Sequence, residues 1–225
     1  MQLQVGAAQE VKRAALLLAL LSCSAPPPPP PPPPPSPAEL KAEVESILTT
    51  LEKSFYSHWG SVESTAEYRK IRDEHVPLLR EIADANGEYA LMAMRVLLRR
   101  APRERFSPGA RAILYWTVFQ REVYYNRWGL ITKSGFVPAV YGDEMMLTGE
   151  AVQPYLQRSL RDTRPAPVIG VVEQRESRAR GDRVCDYAWL FLSTIVNRPV
   201  DYQTDPRLRD PQIHELDLWL DRKRK

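Results

Sequence analysis

The sequence predicts an all-α fold, a single helical domain that follows a leader and a disordered polyproline segment. Three observations carry this. From Ala38 onward, apolar residues recur with a period near 3.6. No stretch shows sustained strand alternation. The helical stretches are separated by short breaks at Gly60, Pro77, Asn86-Gly87 and Pro102, which suit antiparallel neighbours. The predicted organisation is 1–22 signal peptide, 23–37 anchor and stalk, and 38–225 helical domain, with roughly 190 residues to build one core.

The elements follow in chain order. Leu40, Val44, Ile47, Leu48, Leu51 and Phe55 share one helical face, and Pro37 suits a first turn. Ser64 or Thr65 can cap a helix through Tyr68 and Ile71. Pro77 interrupts the pattern, and VPLLREIAD resumes it up to Asn86-Gly87. Glu88 to Ala101 is rich in good helix formers and stops at Pro102. Ser107-Pro108 opens a helix expected to run to Trp128; it is apolar nearly all round in its first half, which predicts a central position. Gly129 to Gly142 reads as a loop with short extended pieces. Gly149 opens a further helix with Val152, Tyr155, Leu156 and Leu160 on one face. Residues 163–179 read as irregular, interrupted by proline and glycine and then heavily charged. Asp182 is placed to cap Arg183 to Val196, and a last helix is expected over Pro206 to Lys225. This makes about seven helices.

Composition excludes several classes of function. The formal charge is +3, too weak over a domain of this size to imply nucleic acid. The basic run Arg222 to Lys225 complements a helix C-terminus. Of two cysteines, Cys185 lies in an apolar stretch and reads as a small buried hydrophobe, so no disulfide framework is expected if Cys23 is modified.

Lys12 and Arg13 precede an apolar run, Ala14 to Leu21. Eight residues are too few to span a bilayer, which takes about 20, but they fit the apolar region of a signal peptide. Leu20-Leu21-Ser22-Cys23 resembles the lipobox of bacterial lipoproteins. The resemblance implies cleavage before Cys23, acylation at that residue, and membrane attachment in the bacterial cell envelope. Ser24, in place of an aspartate, implies the outer membrane. The alternatives are ordinary cleavage after Ala25, which would leave Pro26 in an unsuitable position after the cut, and a cytosolic chain with an apolar N-terminus. Pro26 to Pro35 must form a polyproline II rod, because each ring fixes φ and removes a donor. At about 3.1 Å per residue the rod reaches on the order of 30 Å, which suits a spacer; a ligand for an aromatic groove is the other use.

GEAVQPYLQRSLRD, with Gly149, Ala151, Val152, Pro154 and Leu156, resembles the first helix of HEAT-type repeats. GDRVCDYAWLFLSTI resembles the packing helix of such a unit, with Val184, Ala188 and Leu192 inward. DPRLRDPQIHELDLWLD resembles a closing helix, and HVPLLREIADANGEYALMAMRVLL an earlier degenerate unit. The resemblance implies a stack of helical hairpins that presents surfaces to protein partners. No fixed period aligns these stretches, and a four-helix globule is the alternative.

No catalytic constellation emerges. The histidines His58, His75 and His214 lack metal-ligand spacing, and neither GxSxG nor a phosphate loop is present. Asp143-Glu144 reads as a solvated acidic pair, and Asp182 and Asp186 share a helix face. The expectation is therefore no catalytic residue, no metal and no cofactor. Trp116, Tyr124, Tyr125 and Trp128 form an aromatic set, and Tyr125 and Trp128 are the candidates for an exposed interaction surface. The function expected is a non-catalytic interaction module on a lipid anchor, with an unknown protein partner; the alternative is an envelope enzyme or substrate-binding protein whose site is assembled from distant residues. The anchor predicts that the expressed protein loses residues 1–22, gains acyl mass and partitions into detergent, whereas Cys23→Ala remains unacylated. Intact-mass and phase-partition measurements check this; equal solubility and unmodified mass in both would exclude the anchor.

Overall fold

The computed structural model describes residues 34–58, 65–101, 105–132 and 135–224, with side chains from 54 to 58 left aside. The leader, Cys23, His58 and most of the stalk therefore lie outside the described side chains. The chain divides after Glu39, and the unit from Leu40 onward carries the fold. The structure is all-α apart from one small hairpin.

The first helix, α1, is Pro37–His58. It buries Val44, Ile47, Leu48 and Leu51 on the face that the periodicity marks. A short α2, Ala66–Arg69, is capped by Thr65, whose hydroxyl accepts from the Tyr68 N–H. A 3-10 turn, Asp73–His75, leads into α3, Val76–Asp84, with Pro77 in its first turn. Asn86 takes a positive φ of 51° and reverses the chain into α4, Ala90–Arg100. Helices α3 and α4 pack against each other as a hairpin.

Two helices occupy the centre, and neither is the one the sequence favours. Helix α4 buries every residue from Ala90 to Leu97, and α9, Val184–Ile195, buries every residue from Val184 to Ser193. Helix α5, Pro108–Arg121, buries only Ala112, Leu114, Tyr115 and Phe119. It is also shorter than the reading to Trp128. The carboxylate of Glu122 accepts from the N–H groups of Val123 and Tyr124, taking donors a continuing helix would need. Beyond it, the Tyr125 N–H bonds the Pro167 carbonyl, and a 3-10 turn, Tyr125–Arg127, follows.

The expected loop contains an antiparallel hairpin, β1 Gly129–Thr132 and β2 Gly135–Pro138, registered Gly129 to Pro138 and Thr132 to Gly135. Helix α6, Val140–Met146, follows directly and contains Asp143 and Glu144, so the acidic pair is helical. A 3-10 turn, Gly149–Val152, and α7, Gln153–Ser159, form the predicted proline-bearing helix. Helix α8, Val171–Arg180, occupies much of the stretch read as irregular. Its sequence has little apolar periodicity, but Gly181 at φ 59° supplies a left-handed cap, and Ser177 and Arg180 turn inward. Helix α10, Pro206–Lys223, closes the chain. The described residues thus hold ten α-helices, more than the expected seven because short ones such as α6 and α8 lack a strong sequence signal.

The aromatic residues build the core around the hairpin. Phe119 stands edge-on to Tyr125, Trp128 and Phe191, with ring centroids 5.3, 5.1 and 6.2 Å away. Phe136 does the same against Phe191 and Tyr187. Such pairs contribute roughly 0.5–1.5 kcal/mol each beyond their buried area. Gly142 lets α6 approach this cluster. A Cβ there would collide with the Trp128 carbonyl and lie 2.8 Å from the Phe191 ring. Gly142→Ala is expected to destabilise the domain by at least about 1–3 kcal/mol, measured by urea unfolding, although alanine favours helices elsewhere; an unchanged midpoint would show that α6 docks less tightly.

Candidate functional site

The site begins with a buried charge. Arg209 stands in the first turns of α10 and is fully buried. Its guanidinium lies 3.4 Å from Asp182 Oδ1 and 3.4 Å from Asp186 Oδ2. It also donates to the carbonyls of Arg180 at 2.8 Å and Gly181 at 3.1 Å, and to the Tyr202 hydroxyl. Asp182 accepts further from Arg180 at 2.9 Å and from Tyr202 at 2.7 Å. Asp186 accepts from the Arg183 N–H at 2.8 Å and from its guanidinium at 3.0 Å. Burial pushes the Asp186 carboxyl above the ordinary range, opposed by Arg183 and Arg209. The expected cap therefore falls to a different residue: Asp186 satisfies the start of α9, while Asp182 faces Arg209.

Asp182 and Arg183 of this network also line a cleft of about 490 Å³, together with Tyr124, Pro165, Val168, Ser177 and Arg178, among others. Its far wall is an extended stretch held by backbone bonds: Val184 N–H to the Arg164 carbonyl at 3.0 Å, Ala166 N–H to Asp182 at 2.9 Å, and Tyr125 N–H to Pro167 at 2.8 Å. Ala166 and Val168 point inward, and Pro165 and Pro167 outward. The Asn126 amide ties the next turn down by donating to the Ile169 carbonyl at 3.0 Å and accepting its N–H.

That stitching brings apolar side chains to the surface together. Val123, Tyr124, Ile169, Val171 and Val172 are all exposed, with Val171 at 89%. Tyr125 and Trp128, the residues expected to be exposed, are buried, with exposures of 1% and 0%. The reason is the early end of α5. Once the chain turns at Glu122, Tyr125 and Trp128 swing onto Phe119, the Tyr125 hydroxyl donates to the Phe119 carbonyl at 2.9 Å, and their neighbours Val123 and Tyr124 face out. Alternation within Glu122 to Trp128 offers no sequence signal for which pair is exposed.

A second cleft, of about 360 Å³, holds Glu52, Glu122 and Arg127. Arg127 Nη1 lies 3.9 Å from Glu52 and 3.8 Å from Glu122. Burial raises the proton affinity of both carboxyls, and lowers the Arg127 value to about 10. Because the guanidinium stands between the carboxylates, the arrangement ties α1 to the turn after α5.

The other singled-out residues do not converge. His75 is buried, its Nδ1 accepting the Arg72 N–H at 3.3 Å, and Glu43 lies 3.6 Å from its Nε2. Asp143 and His214 are exposed. Glu144 pairs with Arg95. Cys185 is buried, and burial pushes its thiol up to about 12, so it is no nucleophile at neutral pH. Among the described residues no group of three or more His, Cys, Asp or Glu could hold a metal, and no helix is long and apolar enough to cross a membrane.

Compared with known proteins, the chain matches no family, no curated protein and no solved structure.

Arg209→Ala would remove the charge shared by Asp182 and Asp186, leaving each with only its neighbouring arginine, and is expected to destabilise the domain by about 3–5 kcal/mol. Arg207→Ala, two residues away on an exposed pair with Asp205, should cost under about 0.5 kcal/mol. Urea denaturation of both compares them directly, and similar midpoints would deny the network its role.

Proposed function

We propose that the protein is a lipid-anchored component of the bacterial cell envelope, attached through Cys23 and spaced by the polyproline stalk. Its helical domain is a non-catalytic module that binds a protein partner. The observation that carries this is the exposed apolar group of Val123, Tyr124, Ile169, Val171 and Val172 beside a cleft. Exposed apolar side chains are ordinary singly; gathered on one rigid surface they mark an interaction site.

The chemistry of this surface supports one mode of binding. Pro165 and Pro167 supply no N–H donors, so an added strand would find an interrupted edge. Recognition then falls to side chains. On α8, Val171, Arg175 and Arg178 stand at i, i+4 and i+7 and are all exposed, one apolar residue followed by two cations. The partner that fits is an amphipathic segment with apolar residues over Tyr124 and Val171 and carboxylates opposite Arg175 and Arg178. The outer-membrane address extends this reading, and the HEAT-like stack remains part of it.

A photo-crosslinking residue placed at Tyr124 or Val171 is expected to yield one discrete adduct in native envelopes, and Leu218, exposed on α10, none. Arg178→Glu should reduce the adduct several-fold. Equal labelling at all three positions, or no adduct, would overturn the assignment, as would indifference to the charge reversal.

A further inference from the structure

We infer that the cleft of about 490 Å³ beside the apolar surface binds a proline run, and that its occupant is the Pro26 to Pro35 segment of a second copy of this chain. The inference goes beyond the partner proposed above and does not depend on what that partner is.

What the cleft offers is the first argument. Gln174, Ser177 and Arg178 stand on one face of α8, at i, i+3 and i+4, and line the cleft together with Tyr124. Among the described residues, no group bonds the hydroxyls of Tyr124 and Ser177, the Gln174 amide or the Arg178 guanidinium. All four can donate. The one carboxylate in the lining, Asp182, is already taken by Arg180, Tyr202 and Arg209. Tyr124 adds an aromatic ring, 37% exposed, and the proline stretch opposite α8 is apolar.

Uncommitted donors beside an apolar wall select a ligand that presents carbonyls and rings. A helical ligand bonds its backbone carbonyls internally and leaves these donors unused. An added strand needs N–H groups from the wall, and Pro165 and Pro167 have none. A polyproline II segment meets neither obstacle. Its carbonyls have no internal partner, and it brings no N–H that needs an acceptor. Its shape is set before binding, which lowers the ordering cost. Grooves with exposed aromatic side chains recognise proline-rich segments on this basis.

The chain carries such a ligand. Helix α8 has ten residues and is about 15 Å long, whereas the proline run reaches about 30 Å. The run therefore crosses the whole wall with residues left at either end. Only Ser36 separates it from α1, which begins at Pro37. One residue leaves no linker to fold the run back onto its own domain, and a second copy has no such limit.

The test uses the full chain carrying Cys23→Ala, so that no acyl group contributes. In one version Pro26 to Pro35 is replaced by alternating glycine and serine, which leaves the cleft free. A fluorescent decaproline peptide, titrated against that version and followed by anisotropy, is expected to bind saturably. Gln174→Ala and Tyr124→Phe should each weaken binding at least about threefold, as expected for loss of one hydrogen bond. Leu218→Ala, on the exposed side of α10, should leave it unchanged. Gln174 and Tyr124 are partly exposed, and unchanged thermal midpoints show that the variants fold. Sedimentation of the chain with its proline run intact should show self-association that rises with concentration and disappears in the glycine–serine version. No saturable peptide binding, binding indifferent to both substitutions, or an intact chain that stays monomeric at every concentration overturns the proposal. Only purified protein and peptide are used, so such a failure leaves the crosslinking result in native envelopes standing.

Discussion

Arg209 is fully buried and charged, so each group around it must answer that charge. Two carboxylates, two carbonyls and a hydroxyl do so. They come from the end of α8, the start of α9 and the segment before α10, three pieces that hydrophobic burial alone would leave free to slide. A charge in a low-dielectric interior is satisfied only in a narrow set of geometries. The network therefore fixes where Gly181 and Asp182 lie, and Asp182 in turn holds the extended stretch through the Ala166 N–H. The cleft and its apolar border follow from that placement.

The aromatic cluster applies a second constraint on the other side of the same border. Edge-on packing of Phe119 with Tyr125 and Trp128 needs the chain to leave the helix after Arg121, and Glu122 makes the exit stable by accepting two N–H groups. Val123 and Tyr124 are left outward because the residues after them are drawn inward. The exposed surface is thus a by-product of two buried arrangements, one polar and one aromatic, that meet at the Tyr125 to Pro167 hydrogen bond. A surface held from both sides is rigid, and a rigid apolar surface binds with little ordering cost.

What the sequence determined by itself is the helical class, the inward face of α1, a cap at Ser64 or Thr65, the Asn86 turn, and the closing helix. Each rests on interactions within a few residues of one another, so local periodicity and capping chemistry express them. The tertiary structure decided the rest. Asp182 and Asp186 read as a cap and a helix-face pair because Arg209, their counter-charge, lies more than twenty residues away. Helix α8 was illegible because its stability comes from Gly181 and the inward Ser177 and Arg180 rather than from an apolar stripe. Tyr125 and Trp128 could not be told from Val123 and Tyr124 as surface residues, since which pair turns inward depends on Phe119, Tyr187 and the distant Pro167 carbonyl. Long-range charge pairing and aromatic packing carry no period along the chain, and those two forces placed the site.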